Sequence, residues 1–172
     1  MSFLAAKVRE HYAALGAKPR PGCTPGALAT FESAHKLSLP RPLSSFYLAL
    51  DGLDGDVPEF GLHALQLWPL AELTRVSEGV AEFRGIPDYG PILTALPEVD
   101  QYLAFGDAMC WSHVLAVRLS AVAGPVLWIS GGSYAEVAPT FDDFWVRYLE
   151  SPDSVLWPGQ GQIGSLNGPS DW

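Results

Sequence analysis

The sequence predicts an α+β fold, in which a central, mainly antiparallel β-sheet is flanked by helices. Three short apolar runs between Gln101 and Ser130 predict consecutive strands, and the short turns between them favour an antiparallel meander. Helical patterns before and after these strands supply the flanking layer. A length of 172 residues is ordinary for one domain. We therefore expect a single domain over residues 1–158 and a flexible Gly-, Pro- and Ser-rich tail over residues 159–172.

The first predicted element is a helix that ends at Gly16. Its apolar residues recur at the spacing of one helical face. Gly16 is followed closely by two prolines, a combination that typically stops a helix. The residues of this stripe are Leu4, Val8, Tyr12 and Leu15.

Two further helices are predicted before residue 51. Thr24 and Pro25 indicate a helix start, because the hydroxyl can cap it and proline is tolerated at the first helical position. A third helix is expected over residues 42–50, with Asp51 and Gly52 as its terminator. The buried stripe of the second helix is expected at Ala27, Leu28, Phe31 and Ala34.

The middle of the chain predicts shorter elements. Residues 61–68 favour one or two short strands, and a fourth helix is expected to begin at Pro69. Residues 77–100 contain three prolines that break any long element. The strands of the meander are expected over residues 102–106, 113–119 and 126–129, with a short further strand over 134–138.

The last predicted helix begins after Thr140, which is a suitable N-cap. Its aromatic stripe is typical of a core face rather than of a ligand platform. We expect Trp145, in the middle of the stripe, to be buried. Beyond Pro152 the composition predicts a loosely held chain. The stripe consists of Phe141, Phe144, Trp145, Tyr148 and Leu149.

The net charge of −9 is unevenly distributed. Residues 1–50 contain six basic and two acidic side chains, whereas residues 51–172 contain four basic and seventeen acidic ones. Such an acidic surface repels phosphate backbones, which argues against nucleic-acid binding, and it would attract a basic protein partner. Solubility alone is the alternative explanation for the acidity. We expect a protein partner, and the sequence does not determine the oligomeric state.

Neither a signal peptide nor a membrane span is indicated, because charged residues interrupt the apolar positions near the N-terminus. We therefore expect a cytoplasmic protein. Cys23 and Cys110 have no neighbouring cysteine or histidine at the spacing of a zinc site. Two reduced thiols are the simpler interpretation.

One segment of nine residues contains glycines and four carboxylates, and we call it the acidic loop. Its carboxylates are Asp51, Asp54, Asp56 and Glu59. Calcium binding is one interpretation of these oxygen donors. The ligand spacing, the sixth-position glycine and the twelfth-position glutamate of an EF-hand are absent, however. A solvated loop without a metal is the preferred interpretation.

The histidines are scattered, and none has a convincing nucleophile or acid beside it in the sequence. A cleft formed by Asp107, Trp111 and His113 is the one enzymatic alternative that we consider. We expect no enzyme activity, no cofactor and no catalytic residue. The four histidines are His11, His35, His63 and His113.

The order of several short motifs resembles a known family. In the first half the matching features are Phe31-Glu32, Leu39-Pro40, Phe46, Leu50, Gly52 and Leu67-Trp68-Pro69-Leu70. In the second half they are Tyr102-Leu103-Ala104-Phe105-Gly106-Asp107, Val126, Val137-Ala138-Pro139-Thr140-Phe141 and Phe144. Over about residues 24–151 the chain is similar to the SUKH superfamily, although Asp51-Gly52 stands where relatives often have Asn-Gly.

The resemblance implies an α+β binding module without catalytic residues. The superfamily includes bacterial immunity proteins, which suggests neutralisation of a cognate toxin, often a nuclease. It also includes fungal cell-wall-synthesis regulators, which suggests a regulatory or scaffolding role as the alternative. We place the partner-binding surface on the acidic loop and on nearby acidic and aromatic residues. The hypothesis names Asp51, Asp54, Asp56, Glu59, Phe60, Glu98, Asp100 and Trp111.

Overall fold

The computed structural model describes residues 3–55, 64–83, 87–108 and 112–158. In these ranges a six-stranded sheet, a two-stranded sheet and several helices pack around one hydrophobic core. The expected tail over residues 159–172 lies outside them. Within the same ranges, no helix has the length and apolar character that crossing a bilayer requires. The architecture is α+β, as the sequence predicts.

The six-stranded sheet is antiparallel throughout, in the order β3-β5-β6-β7-β8. Strands β3 and β4 pair with the same edge of β5. Strand β4 pairs with the beginning of β5, and β3 pairs with its end. The predicted meander is confirmed, because β5 to β8 are neighbours in chain order. The strands are β3 Leu65–Leu67, β4 Thr74–Arg75, β5 Tyr102–Ala108, β6 His113–Arg118, β7 Val126–Ser130 and β8 Ser133–Ala138.

Helices cover the sheet and fill the connections. Helices α1 and α3 pack against α6, and α6 packs against β8. Two 3-10 helices, Leu70–Glu72 and Val99–Gln101, precede β4 and β5. The α-helices are α1 Phe3–Ala14, α2 Pro25–His35, α3 Arg41–Tyr47, α4 Val76–Gly79, α5 Ile92–Ala95, α6 Phe141–Glu150 and α7 Asp153–Leu156.

Helix α6 carries the aromatic stripe into the core. The Thr140 hydroxyl accepts a hydrogen bond from the backbone N–H of Asp143 at 3.1 Å, which confirms the predicted cap. Trp145 is fully buried, as predicted. Its ring stacks on the ring of Phe46 of α3, with the ring centres 5.3 Å apart. It also makes an edge-to-face contact with Tyr12 of α1, with the ring centres 6.4 Å apart. The stripe therefore joins three helices.

The third predicted helix ends earlier than expected. Helix α3 stops at Tyr47, and Asp51 and Gly52 belong to strand β2, Leu50–Leu53, rather than to a helix terminator. This strand pairs with β1, Pro19–Pro21, to form the two-stranded sheet. The two strands lie about thirty residues apart in the sequence. A strand of four residues is too short to show an alternating pattern, so the sequence does not reveal this pairing.

The second helix is confirmed, but its predicted buried stripe is right only in part. Thr24 caps α2 by accepting a hydrogen bond from the N–H of Ala27 at 3.1 Å. Phe31 is buried, whereas Ala27 and Ala34 are exposed and Leu28 is half-buried. Alanine fits either environment, so its position on an apolar stripe does not require burial. Helix α2 lies at the periphery of the core.

The predicted fourth helix is replaced by three shorter elements. A 3-10 turn over Leu70–Glu72 leads into β4, and only then does α4 begin at Val76. The register of β4 sets Thr74 opposite Ala104 of β5. Pairing with a central strand thus overrides the local helical pattern.

The prediction of a loosely held chain directly after Pro152 is also wrong. Helix α7 follows at once, and its Val155 and Leu156 are fully buried. The burial of these two apolar side chains stabilises the packing of α7 against the rest of the domain.

Candidate functional site

Asp51 is tied into the fold. Its Oδ1 accepts a hydrogen bond of 2.6 Å from the backbone N–H of Leu70, the first residue of a 3-10 helix. Its Oδ2 lies 3.7 Å from the Arg20 guanidinium, and the side chain is only 14% exposed. The carboxylate therefore caps the 3-10 helix from a neighbouring strand. Asp51 offers a partner less free charge than the sequence suggests.

Gly52 makes this contact possible. Its φ is +70°, and a Cβ atom would lie 2.4 Å from the backbone nitrogen of Pro69. Only glycine combines this backbone conformation with so close an approach. The glycine thereby brings β2 against the segment that starts the 3-10 helix.

The described part of the acidic loop borders a shallow groove of about 600 Å³, which we call the Asp54 groove. Asp54 is exposed, and its N–H donates to the carbonyl of Lys18 at 2.8 Å. Asp51 and Asp54 share the groove with the basic Lys18 and Arg20. The two acidic charges are therefore opposed by two basic ones. Asp56, Glu59 and Phe60 lie outside the described residues.

Glu98 and Asp100 form a separate group. They belong to the 3-10 helix before β5 and to its N-cap. The carboxylate of Glu98 pairs with Arg118, and the carbonyl of Asp100 accepts a hydrogen bond from Arg75. Among the described residues, neither shares a hydrogen bond or an ion pair with the acidic loop.

Two residues of the proposed enzymatic cleft, Asp107 and His113, lie on opposite faces of the sheet. Asp107 is opposite Val114 in the sheet, so these two side chains share a face. His113, one residue before Val114, points to the other face. The Asp107 carboxylate is buried and accepts a hydrogen bond of 2.7 Å from the Trp68 indole. Trp111 lies outside the described residues.

Within the described ranges, no group of three histidine, cysteine, aspartate or glutamate side chains could hold a metal ion. Cys23 is half-buried, and burial, helped by Asp51, raises the pKa of its thiol. A raised pKa lowers the thiolate fraction, so this cysteine is a poor nucleophile.

A second groove, of about 870 Å³, was not predicted from the sequence. We call it the aromatic groove, because Trp68 and Phe83 lie in its lining, their ring centres 6.3 Å apart. Glu72 and Glu82 are the exposed acidic residues of the lining. The only sequence signal was the motif Leu67-Trp68-Pro69-Leu70, which marks the resemblance without indicating a surface.

His113 packs between two tryptophan rings. Its ring centre lies 4.7 Å from Trp128 and 5.1 Å from Trp157. Neither ring nitrogen has a hydrogen-bond partner among the described residues. Burial lowers the pKa of His113 below its ordinary 6.5. Burial lowers the pKa of His11 in the same way.

We expect the melting midpoint to fall when the pH drops below about 6.5, because the unfolded chain then binds more protons than the folded protein. This loss should level off below the lowered pKa of the folded state. Replacing His113 by leucine should make the drop between about pH 7.5 and 5.5 smaller, while His11 keeps part of it. Thermal melts of both proteins at the two pH values measure the effect. An equal drop would show that His113 does not titrate on unfolding.

The family assignment rests on a comparison with known sequences. No curated protein matches the chain closely. The model of the SMI1 / KNR4 family (SUKH-1) matches residues 22–147, which is most of the chain and includes the six-stranded sheet. The match agrees with the resemblance to the SUKH superfamily. The chain belongs to the SMI1 / KNR4 family (SUKH-1).

Proposed function

We propose that this chain is a non-enzymatic protein-binding module that neutralises a cognate toxin with a basic domain. The chain belongs to the SMI1 / KNR4 family (SUKH-1), and the SUKH superfamily that it resembles includes bacterial immunity proteins, which supports the proposal. Such a protein would act by covering the active or substrate-binding surface of the toxin.

The observation that carries the proposal is the uneven charge. Seventeen of the nineteen acidic residues follow residue 50, where only four basic residues accompany them. Two of those four, Arg75 and Arg118, already contact carboxylates of this protein. The remaining acidity attracts a basic partner over a distance and raises the association rate more than the final affinity.

Protection of growth tests the proposed role. If the neighbouring reading frame encodes a large modular protein with a secretion signal and a basic C-terminal domain, that domain is the toxin to test. Cells that express this domain alone should stop growing, and cells that also express this chain should grow. If the chain neither binds the domain nor protects the cells, toxin neutralisation is wrong. Stable binding to a protein of its own cell instead would indicate the regulatory alternative.

Charge reversal in the acidic loop should slow association with such a partner. Replacing Asp54 and Asp56 by lysine should reduce the association rate at low salt, and the difference should shrink as salt screens the charges. The melting midpoint should stay almost unchanged, because Asp54 is exposed and its described hydrogen bond is made by the backbone. Stopped-flow kinetics at several ionic strengths measure the effect. An association rate that changes with neither the salt concentration nor the two substitutions would show that the partner binds outside the acidic loop.

A further inference from the structure

We propose that residues 153–157, which comprise α7 and Trp157 and which we call the strap, come off the sheet when His113 is protonated, while the rest of the fold stays intact. The strap lies beyond residues 22–147, the part of the chain that the family model matches. This inference is independent of the proposed function. It gives the protein a pH-sensitive segment that uncovers His113 and Trp128 in mildly acidic surroundings.

The strap covers His113 at the start of β6. The ring centres of His113 and Trp157 lie 5.1 Å apart, and the two rings meet edge to face. The imidazole also contacts Trp128 of β7, with the ring centres 4.7 Å apart. His113 is 8% exposed. The strap therefore supplies part of the cover that keeps water from this imidazole.

Protonation of the covered imidazole is unfavourable. Both ring nitrogens are shielded from water and lack a hydrogen-bond partner among the described residues. The neutral ring carries one N–H donor and the charged ring carries two, so protonation adds a buried donor as well as a charge. Indole rings attract a cation, but this attraction is smaller than the cost of removing a charged group from water. The lowered pKa of His113 agrees with this balance.

Neighbouring elements carry charged groups, but burial is the cause of the lowered pKa of His113, and no described charged side chain contributes to it. Strand β5 places Ala108 opposite His113. Asp107 and Glu136 lie on the other face of the sheet. In α6, Arg147 donates to the carbonyl of Val137, and Glu150 is exposed. Asp153 is the titratable group of the strap itself.

The strap is the part of the cover that moves at the lowest cost. His113 and Trp128 belong to paired strands, and moving either of them would break the ladder between β6 and β7. The strap contains a helix of only four residues, held by the buried Val155 and Leu156, and Trp157 is 41% exposed. Segments with few buried contacts open at a lower free energy than the core of a sheet.

Opening of the strap and protonation of His113 favour each other. Water reaches the imidazole in the open state, so its pKa there approaches the ordinary 6.5. The open state thus binds the proton more tightly than the closed state. Opening should become up to about tenfold more frequent for each pH unit below 6.5, until the pH reaches the lowered pKa of the closed state. By the same linkage, removing the cover raises the pKa of His113.

The first test measures this reciprocal effect. An NMR titration of the histidine Cε1–H signals gives the pKa of His113, whose signal is identified by its absence from the His113→Leu spectrum. Trp157→Ala should raise the pKa of His113 toward 6.5 and leave the pKa of His11 unchanged, since the His11 ring contacts Tyr148. Leu93→Ala, which truncates a similarly exposed side chain of α5, is the control and should change neither pKa. An unchanged pKa of His113 in Trp157→Ala overturns the proposal.

The second test shows which part of the chain opens. The N–H groups of Val155, Leu156 and Trp157 donate to carbonyls at the start of α7, so their hydrogen exchange reports opening of the strap. After correction for the intrinsic effect of pH on exchange, their protection should fall about three- to tenfold between pH 7.0 and 5.5. The N–H of Phe144, which donates to Thr140 in α6, should keep its protection. Constant protection of the strap, or an equal loss in α6, contradicts a local release.

Two variants assign the titrating group in the exchange measurement. His113→Leu should abolish the pH-dependent loss of protection in the strap, because leucine cannot be protonated. Asp153→Asn should retain this loss. If the loss survives in His113→Leu or disappears in Asp153→Asn, another group controls the strap and the proposal is wrong.

Discussion

Replacing Trp145 by alanine should lower the free energy of unfolding by about 3 to 5 kcal/mol, the usual range for removing a large core aromatic side chain. Trp145 is fully buried and contacts rings from α1 and α3 as well as from its own helix. Its removal leaves a cavity between the three helices, which are too tightly packed elsewhere to move together and fill it. Urea unfolding, followed by circular dichroism, measures the loss.

Two control variants show whether the loss of stability comes from the buried Trp145 ring. Val146, the next residue of α6, is 48% exposed, and its replacement by alanine should change stability by less than about 0.5 kcal/mol. The Trp145 indole N–H is buried without a hydrogen-bond partner in the described structure. Phenylalanine removes this unsatisfied donor, so Trp145→Phe should cost clearly less than Trp145→Ala. A loss below about 1 kcal/mol for Trp145→Ala would contradict the packing of α6.

Replacing Gly52 by alanine should cost about 2 to 4 kcal/mol, through two additive causes. Its φ of +70° disfavours any residue with a Cβ atom. The new Cβ would also lie 2.4 Å from the nitrogen of Pro69 and 2.6 Å from the carbonyl carbon of Trp68. Both are backbone atoms, so the clash can be relieved only by moving β2 or its neighbour. Chemical denaturation of the variant measures the sum.

Gly16 provides a matched control for the first cause. Its φ is +77°, but a Cβ atom there would have nothing within 4 Å. Gly16→Ala should therefore show only the conformational cost, about 1 kcal/mol. If Gly52→Ala and Gly16→Ala destabilise equally, β2 does not approach Pro69 as closely as described.

The parts of the fold that the sequence predicts are those with strong local patterns. Strands β5 to β8 are adjacent in the chain, so their pairing follows from short turns and apolar runs. Helix α6 combines a cap with a complete aromatic stripe. In both cases the residues that decide the structure lie close together in the sequence.

The parts that the sequence does not predict depend on distant partners. Strand β2 exists because β1 pairs with it across two intervening helices, and β4 exists because the first part of β5 pairs with it. Each is four residues or shorter, too short for a period to be counted. The fourth helix was wrongly predicted because the apolar spacing from Leu70 to Val76 fits a helix as well as the observed turn and strand.

The candidate site is predicted only in part, for a related reason. The sequence identifies carboxylates, but it does not show which of them are already engaged within the protein. Asp51 bonds to Leu70 and Glu98 pairs with Arg118, whereas Asp54 is exposed beside two cations. The aromatic groove combines residues from positions 35 to 83, and no single stretch of sequence signals it.

The bond from Asp51 to Leu70 will complicate any genetic search for the binding surface. Asp51 lines the Asp54 groove, and Leu70 begins the 3-10 helix that carries Glu72 of the aromatic groove. A change at Asp51 therefore disturbs both surfaces, whichever of them the partner contacts. A screen for lost partner binding would recover Asp51 variants as strongly as true contact residues. Exposed side chains that leave this bond intact, such as Asp54 and Glu82, are the positions from which such a screen can be interpreted.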